Sequence, residues 1–351
     1  MNIGPATGIV KTLSIFVALA IIVLVALAIA GLAIVGYYDE PTGLVGPEGI
    51  AFRVGSGESG SSVARRLARE SIIKSEYLFR FLMKTKRLEN SLKAGDYAIS
   101  GEMGSSDILS VIAEGRQILI RITIPEGASV QVVAQVAEVA GIAAASDVLA
   151  AASNQDLVAR MGVEADSLAG YLFPDTYLLP RGAGGEQLLS VMVSTFRKRL
   201  LDAVPEAGAL SATELHQRVI LASIVEREYR IPSEAPLMAS AFLNRLRIGM
   251  ALQSCATVVY IISEIQGKPH PSRIFDRDLK IDNPFNTYLY PGLPPEPICN
   301  PGLTALVATL RPATSQYLYF RLVDEITGQH YFSSTLDEHI GAASLAVKPR
   351  S

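Results

Sequence analysis

Hydrophobic and polar positions divide the chain into an apolar N-terminal segment and a longer region of mixed character. No charged residue occurs between Lys11 and Asp39, and residues 13–35 are almost entirely Leu, Ile, Val and Ala. About 20 apolar residues are enough to cross a bilayer, whereas the apolar core of a cleaved signal peptide has roughly 7 to 15. The pattern therefore predicts a tail at 1–11 and an uncleaved transmembrane helix at 12–38.

Charges on the two sides of this segment predict its orientation. Lys11 precedes it, while Asp39, Glu40 and Glu48 follow it before the next cation, Arg53. Because positive flanks remain in the cytoplasm, the tail is expected there, with everything from residue 39 onward outside.

A small module is predicted after a Gly- and Pro-rich linker at 39–48. Its pattern predicts strands at 50–54 and 94–100 and helices at 61–70, 75–84 and 107–114, within a module at 49–116. The stretch GSGESG at 55–60 matches the G-x-G-x-x-G dinucleotide fingerprint. A Rossmann unit needs a parallel strand after its crossover helix, and here a second helix follows, so a flexible turn is favoured.

The remaining patterns predict a connector region at 117–210 and a further region at 211–345. Alternation predicts a strand within 117–127, helical periodicity follows at 129–140, and an aromatic, Pro-rich loop is expected at 169–180. Helices are predicted at 213–228 and 235–247, and a β-hairpin from segments at 316–323 and 329–334. This mixture of helices and short strands indicates an α+β protein.

Composition and spacing exclude several kinds of chemistry. A net charge of −3 argues against nucleic acid as a partner. The four histidines are scattered, and no H-E-x-x-H, C-x-x-C or G-x-S-x-G spacing occurs, so neither a metal site nor a serine nucleophile is predicted. Cys255 and Cys299 lie 44 positions apart and are left open as free or paired. Of the kinds of catalytic site considered, one based on carboxylate side chains remains.

Two glutamates in ASIVEREYR (222–230) are the candidates for this chemistry. At about 100° per residue, Glu226 and Glu228 point to nearly opposite sides of a helix. Glu228 continues the apolar stripe of Leu221, Ile224 and Val225, whereas Glu226 turns away from it. Loss of hydration raises a carboxyl pKa, as a general acid requires, so Glu228 is the first candidate and Glu226 the second. The alternative is that both form a solvated helix end.

Several blocks resemble a known family. They are LASIVEREYRIPSEAPLMASAFLNRLRIGMALQS (221–254), YLFPDTY (171–177), FNTYLYPGLPPEPICNPG (285–302), RPATSQYLYF (311–320) and HYFSSTLDEH (330–339). With LKAGDYAIS and TIPEGASV, they are similar to the endolytic murein transglycosylase (MltG/YceG-like) family. The resemblance implies a single-pass inner-membrane protein with a LysM-like α/β subdomain at 49–116. It also implies a mixed α/β catalytic region at 211–345, similar to lysozyme-like transglycosylases, in the periplasm.

The resemblance also implies an activity. Family members cut nascent peptidoglycan strands between N-acetylmuramic acid and N-acetylglucosamine, leave 1,6-anhydromuramoyl ends and need no cofactor. Penicillin-binding proteins are the partners it suggests. In the lysozyme-like transglycosylases the acid is a glutamate followed by a small hydroxyl residue, and Glu228 takes the catalytic place when the chain is aligned on that pattern. The matching positions that would line the sugar cleft are Gln253, Thr257, Tyr260, Asn286, Thr287 and Tyr288.

Departures from the family pattern keep an alternative to the enzyme open. Tyr229 stands where threonine is usual, and Cys255 and Ala256 replace an aspartate and a proline. A catalytically degenerate peptidoglycan-binding scaffold is the alternative to the enzyme. A third hypothesis is a lysozyme-type hydrolase, which would add water at the anomeric carbon.

Overall fold

The computed structural model describes residues 6–46 and 48–345, and its contacts divide the chain between residues 119 and 120 into two units. The first unit contains α1 (Ala6–Asp39), β1 (Ile50–Val54), α2 (Gly60–Arg69), α3 (Glu76–Thr85), β2 (Gly95–Ile99) and α4 (Ser105–Glu114). Residues 1–5 of the predicted tail lie outside the described residues. Helices and short strands alternate, which confirms the α+β assignment.

Helix α1 contains the apolar segment. Ile15–Asp39 has a mean hydropathy of 3.2, and none of its most apolar stretch is buried. At 1.5 Å per residue these 25 residues extend about 37 Å, more than the hydrocarbon thickness of a bilayer. The helix therefore has the length and composition of a membrane anchor or a signal sequence.

The end of α1 is held by hydrogen bonds within the first unit. The carboxylate of Asp39 accepts from the backbone N–H and the hydroxyl of Ser106, both at 2.7 Å, in the first turn of α4. Lys74 donates to the carbonyl of Tyr37 at 3.0 Å and pairs with Glu40 at 3.1 Å. Asp39, the first residue of the linker predicted at 39–48, is therefore the last residue of α1, and Glu40 follows it in an ordered position.

An antiparallel pair and three helices form the core of the first unit. Strands β1 and β2 pair with Phe52 opposite Tyr97, and both side chains are buried against α2 and α4. The antiparallel register excludes a Rossmann unit at GSGESG, because that unit requires parallel strands. Glu58, inside the fingerprint, instead receives a hydrogen bond from Arg66 at 2.8 Å.

The second unit is mainly helical. Its elements are β3 (Leu119–Thr123), α5 (Val130–Val139), α6 (Ala145–Ala152), α7 (Gln155–Arg160), β4 (Thr176–Pro180), α8 (Gly185–Ala203), α9 (Ala212–Glu228), α10 (Ala235–Arg247), α11 (Cys255–Tyr260), α12 (Leu303–Leu310), β5 (Tyr319–Leu322), β6 (His330–Ser333) and α13 (Leu336–Gly341). Short turns of 3₁₀ or π geometry occur at Pro205–Ala209, Pro232–Glu234, Ile261–Ile265, Asp278–Lys280 and Ala342–Leu345.

Helix α9 lies at the centre of this unit. Ser211 caps its start, accepting from the N–H of Glu214 at 3.2 Å while the Glu214 side chain returns to Ser211. All residues from Val219 to Val225 are buried, because α9 packs against α10, α11 and α12. One core extends through residues on both sides of position 210, the predicted boundary between connector and catalytic region.

The predicted helices and the hairpin of the second unit are confirmed, but the loop predicted at 169–180 is wrong at its end. Residues Thr176–Pro180 form β4, which pairs with β3, and Tyr177 and Leu179 alternate inward. Gly170, in the preceding turn, has φ of 84°, and a Cβ there would lie 2.5 Å from the ring of Pro297. Only glycine fits this turn without strain.

Candidate active site

A cleft of about 380 Å³ in the second unit contains Glu228. It is bounded by the end of α9, residues of α10, the segment that leads into α11, the β5–β6 hairpin and α13. The lining side chains are Glu228, Phe242, Arg245, Leu252, Gln253, Ser254, Cys255, Tyr288, Tyr319, Phe320, Arg321, Leu336 and His339. Among these described residues, Glu228 is the single carboxylate.

Glu228 is the last residue of α9 and is mostly enclosed by its neighbours. Ser254 donates a hydrogen bond from Oγ to Glu228 Oε1 at 2.5 Å. Burial raises the pKa of Glu228, while the bonds from Ser254 and the Ala256 backbone and the charge of Arg245 oppose the rise. A carboxyl that borders a cleft and whose pKa is raised is suited to act as a general acid.

A layer of hydrogen bonds behind Ser254 fixes its position. Thr287 accepts the N–H of Ser254 through Oγ1 at 3.1 Å, and its carbonyl accepts the N–H of Gln253 at 3.0 Å. Thr257 Oγ1 contacts Thr287 Oγ1 at 3.0 Å. Gln253 has φ of 50°, a left-handed conformation uncommon for a residue with a side chain. The wall that carries Ser254 is therefore held by paired backbone and hydroxyl groups.

The six predicted sugar-binding residues take three different positions. Gln253 and Tyr288 line the cleft beside Glu228. Thr257, Asn286 and Thr287 are fully buried behind the wall, and the Asn286 amide donates to the carbonyls of residues 279 and 281. Tyr260 borders a separate cavity of about 370 Å³ and packs on Phe285. Contact with a bound sugar is thus geometrically open to Gln253 and Tyr288, whereas the buried three are placed to support them.

Glu226 is half-buried, on the other side of α9. Its Oε2 accepts the N–H of Gly302 at 2.9 Å, at the start of α12, and lies 3.5 Å from the hydroxyl of Tyr229. Burial, reinforced by the nearby charge of Glu126, raises the pKa of Glu226 to about 7. The alternative of a solvated helix end is wrong, because neighbouring elements cover both sides of α9.

The residue after Glu228 points away from the cleft. The Tyr229 ring packs against the main core, and its hydroxyl contacts Glu226 and does not line the cleft. Its N–H still closes the last turn of α9 by donating to the carbonyl of Val225 at 3.1 Å. Replacement of the usual threonine by tyrosine therefore leaves the helix end that presents Glu228 intact.

The two cysteines are unpaired and differ in exposure. Cys255 is exposed in the cleft, with Sγ 3.0 Å from the hydroxyl of Tyr288. Cys299 is buried, and its thiol contacts the carbonyl of Ser223 at 3.2 Å. The pairing that the sequence left open is thus absent from this structure, and Cys255 forms part of the cleft wall.

Sequence reasoning missed the basic side of the cleft. Arg245 is 8% exposed and donates to backbone carbonyls of residues 318 and 252 at 2.5 and 2.7 Å. Its guanidinium lies 5.1 Å from the ring centre of Tyr319. Arg321 follows two positions later on β5, and His339 stacks on Tyr319 at 5.3 Å. The i, i+2 spacing of Tyr319 and Arg321 in the predicted hairpin was the available signal.

Within the part of the chain that the structure describes, no three His, Cys, Asp or Glu side chains are grouped as a metal site would require. Two of the histidines have other partners. His330 Nδ1 pairs with Glu234 at 2.7 Å, and His216 Nδ1 contacts the hydroxyl of Tyr171 at 3.0 Å. These histidines join elements of the second unit and are not gathered at the cleft.

Known proteins resemble the chain over most of its length. A protein of Bacillus subtilis named endolytic murein transglycosylase is 28% identical over 319 residues, which cover 86% of each chain. A protein of the same name from Streptococcus pneumoniae strain D39 is 26% identical over 309 residues. That match covers 81% of this chain and 56% of the streptococcal protein.

A solved structure is similar as well. The crystal structure of a YceG-like protein from Listeria monocytogenes has 31% sequence identity and a TM-score of 0.54, covering 84% of this chain and 98% of that one. A sequence model of the YceG-like family matches residues 52–344. This match includes both units apart from α1 and the chain ends, and the chain therefore belongs to the YceG-like family.

Proposed function

We propose that this chain is a lytic transglycosylase that cleaves nascent peptidoglycan strands internally. The bond would be that between N-acetylmuramic acid and N-acetylglucosamine, leaving a 1,6-anhydromuramoyl end that terminates elongation. The observation that carries the proposal is Glu228, the single carboxylate among the described residues of the cleft, with a raised pKa. Relatives named endolytic murein transglycosylase at 26–28% identity support the choice of substrate.

A single acid distinguishes this reaction from hydrolysis. Glycosidases that add water generally use two carboxyl groups flanking the bond, one as acid and one as base or nucleophile. A lytic transglycosylase uses a hydroxyl of the substrate itself, so no second carboxylate has to activate water. The single carboxylate in the described lining of the cleft supports the lytic transglycosylase reaction.

In the proposed mechanism Glu228 acts twice. Protonated Glu228 donates its proton to the glycosidic oxygen, the bond from this oxygen to C1 breaks, and positive charge develops at C1. The C6 hydroxyl of the same sugar attacks C1 and gives its proton to the Glu228 carboxylate. The anhydro ring closes and the acid is regenerated. Ser254 would hold the carboxyl in place throughout, since its hydroxyl contacts Oε1.

The cleft walls offer contacts for sugar rings. We propose direct binding by Gln253 and Tyr288, which line the cleft. For Thr257, Asn286 and Thr287 we propose an indirect role, because they are buried behind Ser254. Tyr260 would contact only a strand long enough to reach the neighbouring cavity.

We also propose that α1 anchors the protein in the inner membrane with the N-terminus in the cytoplasm. Its apolar length and the acidic residues Asp39 and Glu40 at its end support this orientation. The second unit would then work in the periplasm, near penicillin-binding proteins that synthesise its substrate. The first unit is proposed as a LysM-like subdomain, on the sequence resemblance of residues 49–116.

The test is digestion of purified peptidoglycan by the full chain in detergent, with the new ends identified by mass spectrometry. Anhydro ends are expected from the native protein and from Glu226→Gln, and their loss by at least about 100-fold is expected in Glu228→Gln. Glutamine keeps the size of the side chain and cannot donate the proton. Circular dichroism of both variants checks that each is folded.

Each other outcome contradicts part of the proposal. Loss of activity in Glu226→Gln alone would make Glu226 the acid. Reducing muramoyl ends in place of anhydro ends would identify a hydrolase. An inactive native protein that still binds the strands would favour the peptidoglycan-binding scaffold.

A further inference from the structure

The cleft that contains Glu228 has an excess of positive charge on its hairpin side. Arg245 and Arg321 line it beside the imidazole of His339, whereas the described lining includes no acid besides Glu228. Burial raises the pKa of Glu228, which reduces the negative charge that could balance the arginines.

Arg245 is fully engaged by the protein. Its guanidinium donates to three backbone carbonyls, at residues 318, 251 and 252, and only 8% of the residue is exposed. These bonds hold the hairpin and the segment before Ser254 to α10. Arg245 therefore contributes charge to the cleft but has few donors left for a ligand.

Arg321 has its donors free. Among the described residues its guanidinium has no hydrogen bond and no ion pair, although it lies on a paired strand opposite Tyr331. A guanidinium carries five N–H donors in a planar fork that matches a carboxylate. A half-buried arginine in a cleft with all its donors unused is suited to a ligand.

His339 shows the same lack of a partner. Its Nδ1 is buried and has no hydrogen bond within the described residues, while its ring stacks on Tyr319. Burial lowers the pKa of His339, and the charges of Arg321 and Arg245 lower it further. The imidazole therefore experiences the positive field that an anion bound at this place would neutralise.

We propose that Arg321 and His339 form a subsite for a carboxylate carried by the muramoyl residue of the substrate. The inference rests on the proposed function and adds a determinant of specificity to it. The carboxylate has two sources, the lactyl group itself when it bears no peptide, and the stem peptide when one is attached. A neutral polymer of N-acetylglucosamine has neither and would gain nothing from the subsite.

Binding measured without turnover tests the subsite. The full-length Glu228→Gln protein in detergent is titrated calorimetrically with three glycans of equal length: peptide-bearing strands, strands freed of peptide by an amidase, and chitooligosaccharide. Adding Arg321→Gln should weaken binding of at least one anionic glycan by about tenfold, roughly one charge-assisted hydrogen bond. Chitooligosaccharide should be affected by less than about twofold.

The two anionic glycans separate the two sources. If only the peptide-bearing strands lose affinity, the carboxylate belongs to the stem peptide. If only the amidase-treated strands lose affinity, it belongs to the lactyl group. Arg273→Gln, which removes an exposed arginine away from the cleft, is the matched control and should leave all three affinities unchanged. Arg321→Lys, which keeps the charge and loses the fork, should bind between Arg321→Gln and native.

An equal loss of affinity for all three glycans in Arg321→Gln, or no loss of affinity for any of them, overturns the proposed subsite. Native cleavage decides the proposed function separately. If the native protein cleaves strands and Arg321→Gln shows no selective loss, the function stands and the subsite fails. If the native protein cleaves nothing and the binding still discriminates, the subsite stands and the function fails.

Discussion

Glu226 provides a quantitative test of how the end of α9 is packed. Its carboxyl accepts the N–H of Gly302 at 2.9 Å and lies 3.5 Å from the Tyr229 hydroxyl. Glutamine at this position keeps an acceptor oxygen for Gly302 and removes the charge. Glu226→Gln therefore changes the ionisation of the site while it preserves size and the main hydrogen bond.

The expected effect follows from the raised pKa. Burial and the charge of Glu126 raise the pKa of Glu226 from 4.5 to about 7, so the folded protein binds this proton more tightly than the unfolded chain. The stabilisation by the proton is complete below about pH 4.5 and is lost as pH rises to about 7. This difference corresponds to about 3 kcal/mol of unfolding free energy.

Glu226→Gln cannot ionise and should escape that loss. Relative to the native protein, its unfolding free energy should increase by about 3 kcal/mol between pH 4.5 and pH 8. Hydrogen exchange of the amides in α9 and α12, read by mass spectrometry, reports this unit separately from the first. Glu228 is present in both proteins, so subtracting the unfolding free energy of the native protein from that of the variant removes its contribution.

A pH-independent difference, constant within about 1 kcal/mol, would refute the reasoning, because it would mean that Glu226 is hydrated in the folded protein. Glu325→Gln is the control. Glu325 is an exposed glutamate in the hairpin turn of the same unit, and its replacement should leave the exchange protection of α9 and α12 unchanged.

Two further changes test the surroundings of the site. Asn300→Ala should lower the unfolding free energy by about 3 kcal/mol, because it leaves the two buried N–H groups of Gly170 and Leu172 unpaired and removes one of the two hydrogen bonds to the Ala128 carbonyl; thermal melts by circular dichroism check this. Ser254→Ala removes a hydrogen bond that lowers the pKa of Glu228. It should reduce turnover about tenfold and move the alkaline limb of the pH–rate profile, measured by anhydro ends, to higher pH.

Local periodicity predicted the elements that carry Glu228. The helices expected at 213–228 and 235–247 are present as Ala212–Glu228 and Ala235–Arg247, because their apolar spacing reflects contacts that each helix makes along its own length. Helical phase also placed Glu228 on a side that packs against other elements. It did not reveal the cleft, which is formed partly by the hairpin about 90 residues later.

The burial of Glu226 could not be predicted in the same way. Phase placed it opposite Glu228, and for a surface helix that side would face solvent. Here α12 covers it, and the contact at Gly302 joins residues 76 positions apart. For the same reason the motifs predicted cleft-lining positions for Thr257, Asn286 and Thr287, whereas the fold buries these residues behind Ser254.

The departures at residues 255 and 256 affect the charge of the site more than its shape. Helix α11 begins at Cys255 although proline is absent, because Ser254 caps it by accepting the N–H of Ala256 at 3.2 Å. That serine also binds Glu228, so the geometry of the acid is maintained. What the cleft lacks is a second carboxylate where cysteine replaces the usual aspartate. A cleft with this lining gains more from an anionic substrate than one in which an aspartate offsets the arginines.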